Sequence, residues 1–204
     1  MKIRICVVGE LMTNCILIQN EETGEILITD PGDNAGRIVK AVKDAGGKPV
    51  AILLTHAHND HTGAVEELRR IYDGIPVYIG EHETDLLSDG ERSNPFGEST
   101  GITADVTVQE GQVLELAGLS MKVLHTPGHT AGSVCYYFEK EKVLIAGDTL
   151  FFRGYGRTDL DTGSPEEMDK SLERLFTELL GDVVVFPGHG RKTTIGSERT
   201  VYGF

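Results

Sequence analysis

Apolar positions along the chain come in short runs separated by glycine, proline and polar turns, and the spacing within each run selects its element. Ile3–Val8, Cys15–Gln19 and Glu25–Thr29 read as strands of a meander. Asn20-Glu21-Glu22-Thr23-Gly24 is the hairpin turn between the last two, ending in the glycine it needs. Asn34–Ala45 places Ile38, Val39, Val42 and Ala45 at helical spacing and is closed by Gly46-Gly47. Val50–Leu54 is apolar throughout, which suits a strand buried on both faces. Thr62–Tyr72 predicts a helix with Ala64, Val65, Leu68 and Ile71 on one side, and Pro76–Ile79 predicts a further strand. The polar stretch from Ser88 to Gly101, with Pro95, predicts a surface loop. Strand patterns resume at Val106–Val108, Val113–Leu116, Leu119–Leu124, Ser133–Phe138, Lys142–Ala146 and Val183–Phe186. A helix over Pro165–Leu180 precedes the last of these, with its proline in the first turn where a missing N–H costs nothing. The two halves, roughly 1–104 and 105–204, thus have similar contents without a sequence repeat or a linker. The pattern predicts a single domain, 1–204, of mixed sheets with flanking helices.

Composition narrows the functional classes. The 204 residues carry 19 Lys+Arg against 32 Asp+Glu, a formal net charge of −13, with 39% hydrophobic residues and 25 glycines. An acidic balance without a basic patch argues against nucleic acid, whose phosphates are bound by Lys and Arg. No apolar run approaches the roughly 18 residues of a membrane span, and the start, Met1-Lys2-Ile3-Arg4-Ile5, lacks the apolar stretch of a signal peptide. Cys6, Cys15 and Cys135 are odd in number, far apart and set among apolar residues. They read as buried free thiols in a reducing, cytoplasmic compartment.

The chemistry concentrates in Leu54-Thr55-His56-Ala57-His58-Asn59-Asp60-His61-Thr62-Gly63, straight after a buried strand. In an extended chain His56 and His58 fall on the same side, close enough to share one metal ion. Asp60 and His61 follow where the chain turns into a helix, and can face a second ion. Three later segments repeat one pattern of apolar strand, short turn and metal-competent residue. Met121–Leu124 leads to His129, Val143–Ala146 to Asp148, and Val183–Phe186 to His189. Loops at strand C-terminal ends converge on one sheet edge, and glycine beside each ligand permits close backbone approach. Imidazole and carboxylate without thiolate favour Zn, Fe or Mn. Five histidines and two aspartates exceed the needs of one four-coordinate ion, so two metals are expected. His56, His58 and His129 are assigned to the first, Asp60, His61 and His189 to the second, with Asp148 bridging. Asp60 could also orient or deprotonate a water. His82 reads as an exposed helix residue, His125 as a packed or hydrogen-bonded histidine, and Tyr155 as a substrate-contact candidate at the pocket, with surface-loop packing as the plainer alternative.

The HAHNDH segment, with PGHT, GDT and PGHG downstream and Thr13-Asn14-Cys15 upstream, resembles the metallo-β-lactamase-fold hydrolases. The closest resemblance is to their single-domain glyoxalase II-like branch. It implies an α/β fold, an αββα sandwich of two mixed β-sheets flanked by helices, with a dinuclear site on one edge. It also implies hydrolysis of a small thioester or ester, glutathione-linked substrates included, with a metal-bridging hydroxide as nucleophile. Zinc is the first expectation for the two divalent ions, with iron and manganese as alternatives. His58 replaces the glutamate of flavodiiron proteins, and Asp148 supplies a bridging carboxylate that true β-lactamases lack. β-Lactamase activity therefore ranks lower, and a lactonase is also a less favoured expectation. A mononuclear iron persulfide dioxygenase, using His56, His129 and Asp148, is the competing reading on the same fold. Arg157 lies near the position of a glutathione-holding lysine in larger glyoxalase II enzymes, although an internal Arg157–Asp159 pair is the simpler explanation. Only 15 residues follow His189, too few for the helical C-terminal domain of those enzymes. Glutathione recognition is accordingly expected to be weak or replaced by another thioester. A homo-oligomer is compatible with the sequence, and neither a nucleic-acid nor a membrane partner is expected.

Overall fold

The computed structural model describes residues 1–94 and 99–203. Among them two six-stranded sheets lie face to face. The first contains β1 (Lys2–Val8), β2 (Thr13–Gln19), β3 (Glu25–Thr29), β4 (Lys48–Leu53), β5 (Val77–Gly80) and β6 (Val106–Val108), in that spatial order. Its first three strands form an antiparallel meander and the rest pair in parallel. The second contains β7 (Val113–Leu116), β8 (Leu119–His125), β9 (Val134–Phe138), β10 (Val143–Gly147), β11 (Val184–Pro187) and β12 (Thr193–Thr194), ordered β12-β11-β10-β9-β8-β7. Only β10 and β11 pair in parallel there. The sheet boundary falls between Val108 and Val113, a few residues beyond the expected 104/105 division, because β6 completes the first sheet.

Three apolar layers hold this arrangement. Ile16, Leu27 and Leu53 of the first sheet meet Met121, Tyr136 and Ile145 of the second in the central layer. Ile28 and Ile52, on the outer face of the first sheet, pack against helix α1 (Ala35–Ala45) through Ile38 and Val42. Helix α6 (Pro165–Glu178) covers the second sheet through Met168, Leu172 and Leu175. β2, β9 and β10 are buried along their whole length, as near-continuous apolar runs predict. The result is the αββα sandwich. Cys6, Cys15 and Cys135 are buried and unpaired, and no described helix is long and apolar enough to cross a membrane.

The predicted helix over Thr62–Tyr72 is instead two pieces, α2 (Asn59–Thr62) and α3 (Val65–Ile71). The amide of Ala64 donates to the carbonyl of Pro31 at 2.9 Å, leaving the helical ladder at the break. The segment from Ser88 onward is not all loop. Helix α4 (Thr84–Ser88) runs into it, and α5 (Gly90–Ser93) forms there, capped by Asp89, whose side chain accepts the Arg92 amide. Pro95 lies outside the described residues. The C-terminal stretch, to which the sequence pattern assigned no element, forms β12 and α7 (Ile195–Tyr202), capped by Thr194.

Candidate metal centre

Each predicted ligand sits where a strand ends. His56 and His58 follow β4, His129 follows β8, Asp148 follows β10 and His189 follows β11, all on one edge of the sandwich. His58 is the cap residue of α2, and Asp60 and His61 lie within that helix. The sharp turn there lets four neighbouring side chains face two centres. Gly188 shows how tightly the loops meet: a Cβ on it would stand 2.1 Å from Asp148 Oδ1 and 2.7 Å from the His61 ring.

Three groups of side chains have ligand atoms within 4.8 Å of one another: His56, His58 and His129; His56, His61 and Asp148; Asp60, His61 and His189. The structure thus brings together all seven residues singled out in the sequence. His58 Nδ1 lies 2.8 Å from His129 Nε2, and His61 Nε2 lies 3.3 Å from His189 Nε2. Asp148 stands between the two sets, with Oδ1 at 3.4 Å from His61 Nε2 and Oδ2 at 3.6 Å from His129 Nε2 and 3.4 Å from His189 Nε2. His56 Nε2 and Asp148 Oδ1 are buried without a hydrogen-bond partner, an unfavourable state for polar atoms that a bound cation would relieve. The residues fit a metal pair on both donor chemistry and unmet valence.

The electrostatics divide the site. Burial, reinforced by the neighbouring imidazoles, holds His56 well below the ordinary histidine range and His58 at about 4. Burial also lowers His129. These three are neutral lone-pair donors at neutral pH. Burial would pull His61 down as well, but Asp148, Asp60 and Asp30 outweigh it and raise the ring well above its usual value. At His189 burial is likewise outweighed by Asp148 and Asp60, which bring it to about 9. Burial pushes both acids up, and the cationic rings win: Asp60 is held at about 2 by His61 and His189, Asp148 well below its ordinary value mainly by His61. The carboxylates of Asp148, Asp60 and Asp30 thus make the second set electronegative, the character that a cation site requires.

A supporting layer escaped the sequence reading. Asp30 accepts from the Thr55 amide at 2.8 Å and the Thr55 hydroxyl at 2.7 Å, and its Oδ2 stands 3.1 Å from His61 Nδ1. The Thr55 hydroxyl also lies 3.1 Å from His56 Nδ1. The Arg157 carbonyl contacts His129 Nδ1 at 2.6 Å, and the Leu11 carbonyl contacts His189 Nδ1 at 2.9 Å. The contacts at His56, His129 and His189 fix which ring nitrogen faces inward, whereas His61 Nδ1 stands near Asp30 without a hydrogen bond. Thr13 donates to Asp60 Oδ2 at 3.1 Å, and the Asn14 amide donates to the carbonyls of Pro187 and Gly190 on either side of His189. Asp30 carries a sequence signal, since it ends β3 just as Asp148 ends β10.

A cavity of about 690 Å³ opens over the centre. His58, Asp60, His129, Asp148 and His189 form its floor, and Leu11, Phe151 and Leu160 give it apolar walls. Arg157 also lines it, while its guanidinium makes a two-pronged pair with Asp159 at 2.7 and 2.8 Å. Tyr155 corrects the expectation: it is exposed, packs near Tyr202 with ring centres 6.2 Å apart, and is not among the described residues lining the cavity. The neighbouring Gly156, tied by its amide to the Asp148 carbonyl at 2.9 Å, occupies the wall instead. His125 contacts the Ala131 carbonyl at 2.9 Å and stacks obliquely on the exposed His82, away from the cluster.

Sandwich, edge position and His/Asp cluster together define a class. Residues 8–189 match the model of the metallo-beta-lactamase superfamily, and the chain belongs to that family. Among curated relatives it is 35% identical to the hydroxyacylglutathione hydrolase GloC of Haemophilus influenzae, with 98% of this chain and 95% of that protein covered. Among solved structures it is similar to the BLEG-1 B3 metallo-beta-lactamase, at 36% identity and a TM-score of 0.90 over 98% of this chain and 97% of that one. It is also similar to TTHA1623 in a di-iron-bound form, at 32% identity and a TM-score of 0.87 over 97% and 98%.

Proposed function

We propose that the protein is a dinuclear metal-dependent hydrolase of a small thioester or ester, of the hydroxyacylglutathione hydrolase type. The observation that carries this reading is the pair of ligand groups, three histidines beside Asp60, His61 and His189, with Asp148 between them. When bound, two divalent ions supply a hydroxide nucleophile at neutral pH and stabilise charge on the carbonyl oxygen. The chain's own part is to present neutral imidazoles on one side and carboxylates on the other. It also lines the cavity with the apolar Leu11, Phe151 and Leu160, and leaves Asp60, one-quarter exposed at the cavity floor, to accept or orient a water proton. The GloC relative supports a thioester substrate.

Persulfide dioxygenation with one iron at His56, His129 and Asp148 would use part of this set and leave Asp60, His61 and His189 without a role. Iron content alone does not separate the two readings, because the similar TTHA1623 was solved with two irons. The likeness to BLEG-1 brings β-lactams into the comparison. The deciding test is one metal-defined sample assayed against S-lactoylglutathione, smaller thioesters, a β-lactam and glutathione persulfide. Thioester hydrolysis that is abolished by chelation and restored by metal is expected. Oxygen uptake with the persulfide in the absence of thioester turnover would overturn the proposal.

A further inference from the structure

Glu83 is 1% exposed at the end of the short 3-10 turn Glu81–Glu83, and it lies outside the metal cluster. Its two oxygens serve two different loops. Oε2 accepts the Ala57 amide at 2.8 Å and Oε1 accepts the Gly132 amide at 2.9 Å. Ala57 is the residue between His56 and His58, whereas Gly132 lies just beyond His129. The first loop leaves β4 of one sheet and the second leaves β8 of the other. One buried carboxylate therefore joins the two loops that carry the three-histidine group.

The fit around it is close. A Cβ on Gly132 would stand 2.4 Å from the His82 carbonyl carbon and 2.6 Å from the Glu83 amide nitrogen, so the turn seats directly on that glycine. Burial raises the Glu83 carboxyl above the ordinary glutamate range against the pull of its backbone hydrogen bonds. Retaining an acid there is unfavourable by itself, and the geometry gives it a task. Further back, the Val134 amide donates to the Thr55 carbonyl at 2.9 Å. That backbone bond keeps the loops adjacent without the carboxylate, but it does not touch the front edge where the histidines project.

We propose that Glu83 is a positioning residue for the three-histidine group: by holding the Ala57 and Gly132 amides at once, it fixes the placement of His56 and His58 relative to His129. The proposal rests on the metal-centre reading above. Two backbone donors converge on two oxygens, so a glutamine of the same size satisfies one N–H and sets its own NH2 against the other. Glu83→Gln removes one arm of the clamp, and Glu83→Ala removes both.

The test uses the full chain as wild type, Glu83→Gln and Glu83→Ala, titrated with Zn(II) against a competing chelator and with Co(II) as a spectroscopic probe. Amide hydrogen exchange at Ala57 and Gly132 is followed in parallel. Wild type is expected to bind two ions. Glu83→Gln is expected to keep the wild-type circular dichroism, exchange faster at one of the two amides, and alter the cobalt visible spectrum. Its three-histidine site should lose about 10- to 100-fold in affinity, the range found for partners of metal ligands, with a smaller change at Asp60, His61 and His189. A folded variant with wild-type affinities and cobalt spectrum, equal weakening of both sites, or failure of Glu83→Gln to fold would each overturn the positioning role. Absence of metal binding by wild type would refute the metal-centre reading itself and the proposal with it.

Discussion

At the residue scale, Asp148 is the side chain on which the two-metal account turns. It is the acid placed between His129 on one side and His61 and His189 on the other, and one of its oxygens has no hydrogen-bond partner. Asp148→Ala removes the carboxylate that would be shared by the two ions and leaves the second set with Asp60 as its remaining carboxylate. Metal analysis after exhaustive dialysis should find the variant holding one ion or none. Two tightly retained ions would contradict the bridging assignment. The ligands were legible in the sequence because four of them cluster in one short segment after an apolar strand, and His129, Asp148 and His189 each follow a strand beside a glycine. Asp30 ends its strand in the same way, but it acts through Thr55 and the His61 ring, partners distant in sequence, and so did not stand out. Glu83 was illegible for a different reason. Its partners are backbone amides 26 and 49 residues away, and a backbone amide leaves no mark in a sequence.

At the scale of elements, most strands and both long helices follow the apolar periodicity, since burial on one or two faces dictates their spacing. The departures come from local hydrogen bonding that periodicity does not encode. The Pro31 carbonyl captures the Ala64 amide and splits one predicted helix, and side-chain caps at Asp89 and Thr194 start short helices where the composition looked like loop. Between elements, Glu110 joins the turn after β6 to α6 and β8, accepting from the Arg174 guanidinium and from the His125 amide at 2.6 Å. Burial raises the Glu110 carboxyl, but Arg174 and the His125 amide outweigh it and hold the group below its ordinary value. A depressed folded-state value means the contact stabilises the fold above the unfolded carboxyl's range. That contribution is lost as pH falls through the folded-state value. Glu110→Gln should therefore be less stable than wild type in urea at neutral pH, with the gap closing toward about pH 3, below the ordinary glutamate range. A gap that persists unchanged in acid would show that packing, not charge, holds α6 there.

At the scale of the whole molecule, an acidic chain concentrates its chemistry on one edge of an αββα sandwich, where four strand ends from two sheets meet. The formal charge of −13 is consistent with a protein that gathers cations rather than polyanions. The fold was legible as a class because the ligand segments occur in a fixed order along the chain. The shape of the cavity was not, because its walls come from the β1–β2 turn, the α5 region and the loop after β10, which only the folded chain brings together. The central claim is that two metal ions act together in hydrolysis. Its most direct measurement is S-lactoylglutathione hydrolysis by metal-free protein titrated with Zn(II), with bound metal quantified at each point. The account predicts that activity climbs with the second equivalent and levels off at about two ions per chain. Full activity reached at one ion, or two ions bound with no thioester hydrolysis, would contradict it.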